Sequence, residues 1–224
     1  MPAADLDHFD GYLRTLGGRL RGPGRLKADL LAEARDSLED AASAYQDSGL
    51  CPADARRRAV AEFGEPGDLA PAYQAELGAV AAQRLALWLT VVPTVLGAGS
   101  DLMWRGAPWT GVQPPPGYAT LATAVDRLGL LLAVAAFASL TWLAWTAHRC
   151  RPVSPAATRR MALGGLLGVT GLAVGGLSLY ALTVSQARAA LTWPPMIVGG
   201  LLTLVALGLL AGRAFRCMAW AGPR

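Results

Sequence analysis

The chain has 224 residues, 53% of them hydrophobic and only 16% charged, with a net charge of +4. Two histidines and three cysteines, with no HExxH, CxxC, GxSxG or Walker-type glycine loop, argue against catalysis and against a metal or cofactor centre. Charge is divided unevenly: residues 1–84 carry fourteen Asp and Glu against ten Lys and Arg, a net −4, whereas residues 85–224 carry ten Arg against Asp101 and Asp126 alone, a net +8.

The acidic first part is a poor match for a phosphate backbone, so direct nucleic-acid binding by it is not expected. It reads as helical throughout. Leu6, Phe9, Leu13, Leu16 and Leu20 recur at steps of three and four, the spacing of one helix face, and Gly22-Pro23-Gly24 ends that helix. A second helix from Arg25 to about Tyr45 sets Leu26, Leu30, Ala34, Leu38, Ala41 and Tyr45 on one side. Its remaining surface holds Asp29, Glu33, Asp36, Glu39 and Asp40, and Gly49 is its expected C-terminal stop. Pro52 at a first helical position and Asp54 in a first turn open a third helix, which should bury Ala55, Ala59, Val60 and Phe63 and stop at Gly64. A fourth starts at Glu65-Pro66-Gly67-Asp68 and carries Leu69, Ala72, Tyr73 and Leu77. Only Gly78 stands between it and the next apolar run, so either an unbroken helix or a flexible junction at Gly78-Ala79 fits.

The segments LGGRLRGPGRLKADLLAEARDSLEDA (16–41), GLCPADA (49–55) and AVAEFGEP (59–66) carry a resemblance. Over roughly residues 5–77 the chain resembles the bacterial helical signalling domain called HAAS, also described as a permease prefix domain. In that family a short helix ending in a Gly-Pro turn precedes an acidic helix, a Ser-Pro-x-Glu-like helix start and a closing Phe-Gly-x-Pro. Cys51 stands where Ser or Thr is usual, which removes the hydroxyl N-cap. Members place the domain before several membrane spans, often beside a PadR-like winged-helix repressor, and some fuse it to exporter permeases. The resemblance implies a signalling or interaction role.

Four apolar runs follow, at about 85–103, 128–147, 161–184 and 193–212, each near the ~20 residues that a helix needs to cross a bilayer core. Leu85–Leu102 should itself serve as the insertion signal. With the N-terminus inside, the inner flanks hold Arg84, Arg149, Arg151, Arg159, Arg160, Arg213, Arg216 and Arg224, and the outer loops hold Arg105, Arg127 and Arg188. Cations near span ends resist translocation, which favours an inner (plasma) membrane protein with both termini cytoplasmic. Trp104, Trp109 and Trp193 fall at the outer ends, and Trp88, Trp145 and Trp220 toward the inner ones.

Within the spans, packing features outnumber chemical ones. Gly164, Gly168, Gly171 and Gly175 fall on one side of the third span, a seam for close helix approach inside one bundle or between protomers, and Gly208 and Gly212 form a shorter version. Pro93 frees a backbone carbonyl in the first span. Asp101 beside Met103-Trp104 reads as an outer-interface residue, not as a buried carrier group. The outer loop Arg105–Asp126, with its stiff Pro114-Pro115-Pro116, reads as a connector. Cys51, Cys150 and Cys217 all fall on the expected cytosolic side, where thiols stay reduced; the last two adjoin spans as palmitoylation sites do, with an idle thiol as the default reading.

The expected architecture is all-α: a cytosolic helical domain over 1–80, then a four-span transmembrane domain over 81–224. The expected role is a regulator or adaptor held in membrane lipid. Its acidic face at Asp36, Glu39 and Asp40 is the candidate surface for a basic cytosolic protein, with Arg56, Arg57 and Arg58 as the alternative surface. Given the resemblance, that protein is a PadR-like regulator or, in the rival reading, a component of an export (ABC-type) permease.

Overall fold

The computed structural model describes residues 7–104, 113–149, 153–186 and 191–220, without the side chains of residues 7, 8 and 101–104. The expectations for Leu6, Arg105, Trp109, Cys150, Arg151, Arg188 and Arg224, and for the side chains of His8, Asp101 and Trp104, lie outside those residues. Among the described residues there is no strand. The elements are α1 (Asp7–Arg19), α2 (Gly24–Asp47), α3 (Pro52–Phe63), α4 (Pro66–Trp104), α5 (Tyr118–His148), α6 (Pro155–Gln186) and α7 (Pro194–Trp220). Two compact units divide between Ala79 and Val80. The division falls within α4, which is a single helix through Gly78.

The first unit is closed by one apolar core. Phe9, Leu13, Leu16 and Leu20 of α1 are buried, as are Leu30, Ala34, Leu38 and Ala42 of α2, Ala59 of α3 and Leu77 of α4, with Val60, Phe63, Leu69 and Tyr73 packed around them. Tyr12, three residues after Phe9 and four before Leu16, joins this core. Its ring meets Phe63 edge-on at 5.9 Å, and its hydroxyl donates to the Gly64 carbonyl at 2.9 Å. Burial, and then the neighbouring Tyr73, raise the Tyr12 pKa above its usual value.

Each turn in this unit has a local cause. At Gly49, φ of +98° is open to glycine without a Cβ penalty. There the Gly49 amide donates to the Gln46 carbonyl and the Leu50 amide to that of Tyr45, the two bonds of a Schellman end. Cys51 precedes α3 in extended conformation with no side-chain cap on a backbone amide; Pro52 occupies the first turn, and the Cys51 thiol lies 3.1 Å from the Asp54 carboxylate. The lost hydroxyl cap therefore does not abolish the helix, since proline removes one of the orphan donors. Between α1 and α2 the chain is held from a distance. Gln74 accepts from the Arg21 amide and donates to the Arg21 carbonyl, both at 2.8 Å.

In the second unit the helices outrun the apolar runs at most ends, because the polar flanks continue the helical hydrogen-bond ladder. Asp126 and Arg127 accordingly lie inside α5 and not in the loop expected over Arg105–Asp126. Helix α6 packs on both α5 and α7. Four helices are long and apolar enough to cross a membrane. Their outer surfaces carry Leu131 at 66% exposure, Leu167 at 65% and Leu202 at 61%. Continuous apolar surface of this kind is unfavourable in water and suited to lipid.

Candidate partner-docking face

Helix α2 is amphipathic in the plain sense that its two sides have different work. Leu30, Ala34, Leu38 and Ala42 go to the core, which turns Asp36, Glu39 and Asp40 to solvent. All three candidate acids are thus exposed on one helix surface, three and four residues apart. They are not equivalent. Arg35 forms an ion pair with Asp10 of α1 and lies 3.9 Å from Glu39, so Glu39 already has a cation beside it. Asp36 and Asp40 have no ion pair among the described residues.

Beside this face runs an open groove between α1 and α2, of about 860 Å³, that periodicity did not disclose. Leu13, Gly17 and Leu31 line it, and Arg14, Lys27, Arg35 and Asp10 stand around them. The sequence signal for it is Gly17-Gly18: a Cβ at Gly17 would come to 3.0 Å from Leu31 Cδ1.

The alternative surface, Arg56, Arg57 and Arg58, is largely neutralised. Arg56 lies over the Phe9 ring at 5.9 Å, Arg57 pairs with Asp54, and Arg58 Nε donates to Glu62 at 2.9 Å. Tyr45 donates its hydroxyl to the same Glu62 carboxylate. That hydroxyl first, and Arg58 second, hold the Glu62 carboxyl below its usual range, while the bond to Glu62 raises the Tyr45 pKa. These contacts staple α2 to α3 and leave little uncompensated positive charge there.

The glycine seam of α6 needs one correction. Cβ atoms built at Gly168, Gly171 and Gly175 would come within 2.7 Å of Leu132, 2.9 Å of Leu128 and 2.5 Å of Val125, so these three lie hard against α5. Gly164 has nothing within 4 Å. Its neighbour Gly165 is the close one, where a Cβ would lie 2.7 Å from Leu89 of α4. Gly208 and Gly212 of α7 also face open space and form no seam. Cys217 is buried, which removes it as an acylation site in this conformation, whereas Cys51 is exposed. Among the described residues no group of three or more His, Cys, Asp or Glu is placed to hold a metal ion. No family model matches the chain, and no curated protein or solved structure matches it either.

Proposed function

We propose that the chain is a plasma-membrane regulator or adaptor, with both termini cytoplasmic, whose helical headpiece docks a basic cytosolic protein through the exposed acids of α2. The observation that carries this reading is the position of Asp36 and Asp40: Leu30, Ala34, Leu38 and Ala42 turn the other side of α2 to the core, and these two carboxylates remain outward without ion pairs among the described residues. The HAAS-like segments support a PadR-like regulator as that protein, and the lack of a recognisable catalytic motif in the sequence supports a non-enzymatic role.

The test is capture of a co-expressed PadR-like regulator by the full-length chain in its membrane, against a triple variant Asp36→Lys, Glu39→Lys, Asp40→Lys. The variant should keep its helical circular dichroism and lose about tenfold or more in capture at low salt, with the difference shrinking as salt screens the contact. Equal capture at low salt would remove the acidic face from the interface. Capture of an export-permease subunit in place of the regulator would favour the transporter-accessory reading.

A further inference from the structure

One end of the second unit gathers arginine from α4, α6, α7 and the C-cap of α5, with indole from α4 and α5. Helices α5 and α6 are antiparallel, since Leu132, Leu128 and Val125 lie opposite Gly168, Gly171 and Gly175 in reversed order. Gly165 against Leu89 sets the adjoining turn of α4 beside the first half of α6, and Arg213 of α7 stacks over Trp88 of α4 at 4.7 Å. The C-terminal end of α5, the N-terminal end of α6, the C-terminal end of α7 and the stretch of α4 near Trp88 therefore meet at one level. Arg84, Arg149, Arg159, Arg160 and Arg216 are exposed there and Arg213 is half-buried.

Two of these cations are held in a particular way. Arg149 lies 4.3 Å over the Trp145 ring, and Arg213 repeats the arrangement on Trp88; both indoles are about half exposed. A guanidinium stacked on an indole is fixed in plane while its edge N–H groups stay available, the fork that fits a phosphate's paired oxygens. The only acids after residue 84 are Asp101, near the far end of α4, and Asp126, near the start of α5. Among the described residues of this unit no side-chain carboxylate lies at the arginine end to compete for the forks.

We propose that this end of the bundle is a recognition surface for anionic phospholipid headgroups, with Arg149 on Trp145 and Arg213 on Trp88 as two phosphate forks set at the depth where indoles partition. The reading requires the four helices to lie in a bilayer, and it is independent of any protein partner. Charge complementarity selects the occupant: six cations with no acidic side chain beside them among the described residues, ringed by exposed leucines and valines, fit a surface that is anionic above and apolar below.

The full chain, reconstituted in bilayers mixing phosphatidylcholine with phosphatidylglycerol, tests this by quenching of tryptophan fluorescence, with bromine placed on the acyl chains of one lipid or the other. Brominated phosphatidylglycerol should quench with an apparent preference of about fivefold over brominated phosphatidylcholine. The double variant Arg149→Gln, Arg213→Gln should bring that preference to near parity with unchanged helicity, and Arg127→Gln, at the other end of α5, should leave it as in the wild type. Equal quenching of the wild type by both lipids overturns the proposal, as does an equal loss in Arg127→Gln, which would make the effect one of net charge alone. If inorganic phosphate at matched ionic strength abolishes the preference, the forks hold free anions and not headgroups. Quenching by neither lipid overturns the bilayer placement along with the proposal.

Discussion

Gln74 treats the peptide of Arg21 as a strand partner would: its amide oxygen accepts from the Arg21 N–H and its amide nitrogen donates to the Arg21 carbonyl, each over 2.8 Å. A single side chain thereby ties the turn between α1 and α2 to α4, fifty-three residues away in sequence.

Replacing Gln74 by Ala removes both bonds at once. The groups are exposed and regain water, so the cost should be about 1 kcal/mol and not the larger penalty of buried orphans. Amide exchange in the α1–α2 turn of the full chain should then accelerate by about fivefold, with α6 and α7 unaffected. Unchanged exchange would mean the clamp does not hold the turn in solution.

The seam of α6 predicts opposite outcomes for two glycines four residues apart. Gly168→Leu would drive a side chain into Leu132, where even a Cβ would lie at 2.7 Å, and overpacking of this kind costs on the order of 1–3 kcal/mol. Gly164→Leu meets open space and should be close to neutral or slightly favourable through helix propensity. Thermal unfolding of the detergent-solubilised chain distinguishes them, and equal transition temperatures would place both glycines outside the helix contact.

The Tyr45–Glu62–Arg58 cluster has a pH window with a definite sign. Glu62 has a depressed pKa in the folded state, so its contribution is present above the unfolded carboxylate value of about 4.3 and is lost as pH falls through the folded one. Tyr45 has a raised pKa, so its contribution is present below about 10 and is lost as pH rises through the folded value. Tyr45→Phe deletes the donor that matters most to Glu62. A carboxyl-carbon NMR titration should show the Glu62 midpoint moving up toward its usual value in that variant, and an unmoved midpoint would leave Arg58 as the sole cause.

Topology follows from the arginine bias of the span flanks. A reporter fused after Arg224 should be active only in a form that works in the cytoplasm, and one inserted at Pro115 only in a form that works outside it. An exported C-terminus would contradict four crossings.

What the sequence discloses here is whatever one helix face or one turn encodes by itself. Leu13, Leu16, Leu30, Leu38 and Leu77 are all buried, Gly49 and Gly64 follow directly on helix ends, and Gly22-Pro23-Gly24 falls in the break between α1, which ends at Arg19, and α2, which begins at Gly24. The three acids of α2 were visible for the same reason, as the side left over when the stripe is assigned. Contacts that depend on which helix comes alongside were not visible. Tyr12 reaching the Gly64 carbonyl and Gln74 reaching Arg21 pair residues more than fifty apart, and no local period specifies such a meeting. Periodicity alone likewise put Gly164 on the seam; the close contact falls instead at Gly165, where Leu89 of α4 approaches.

The two-sided glycine surface of α6 bears on the order in which the molecule is made. Gly168, Gly171 and Gly175 receive α5, and Gly165 receives the Leu89 turn of α4, so both earlier helices make a close glycine contact with a helix synthesised after them. Helices in a bilayer first insert as separate units and associate afterwards through such close contacts. Until Pro155–Gln186 has left the ribosome, α4 and α5 have no glycine groove to settle into, so a nascent chain stalled before α6 would hold two independent spans, and the bundle would assemble only when the third span arrives as their shared spine.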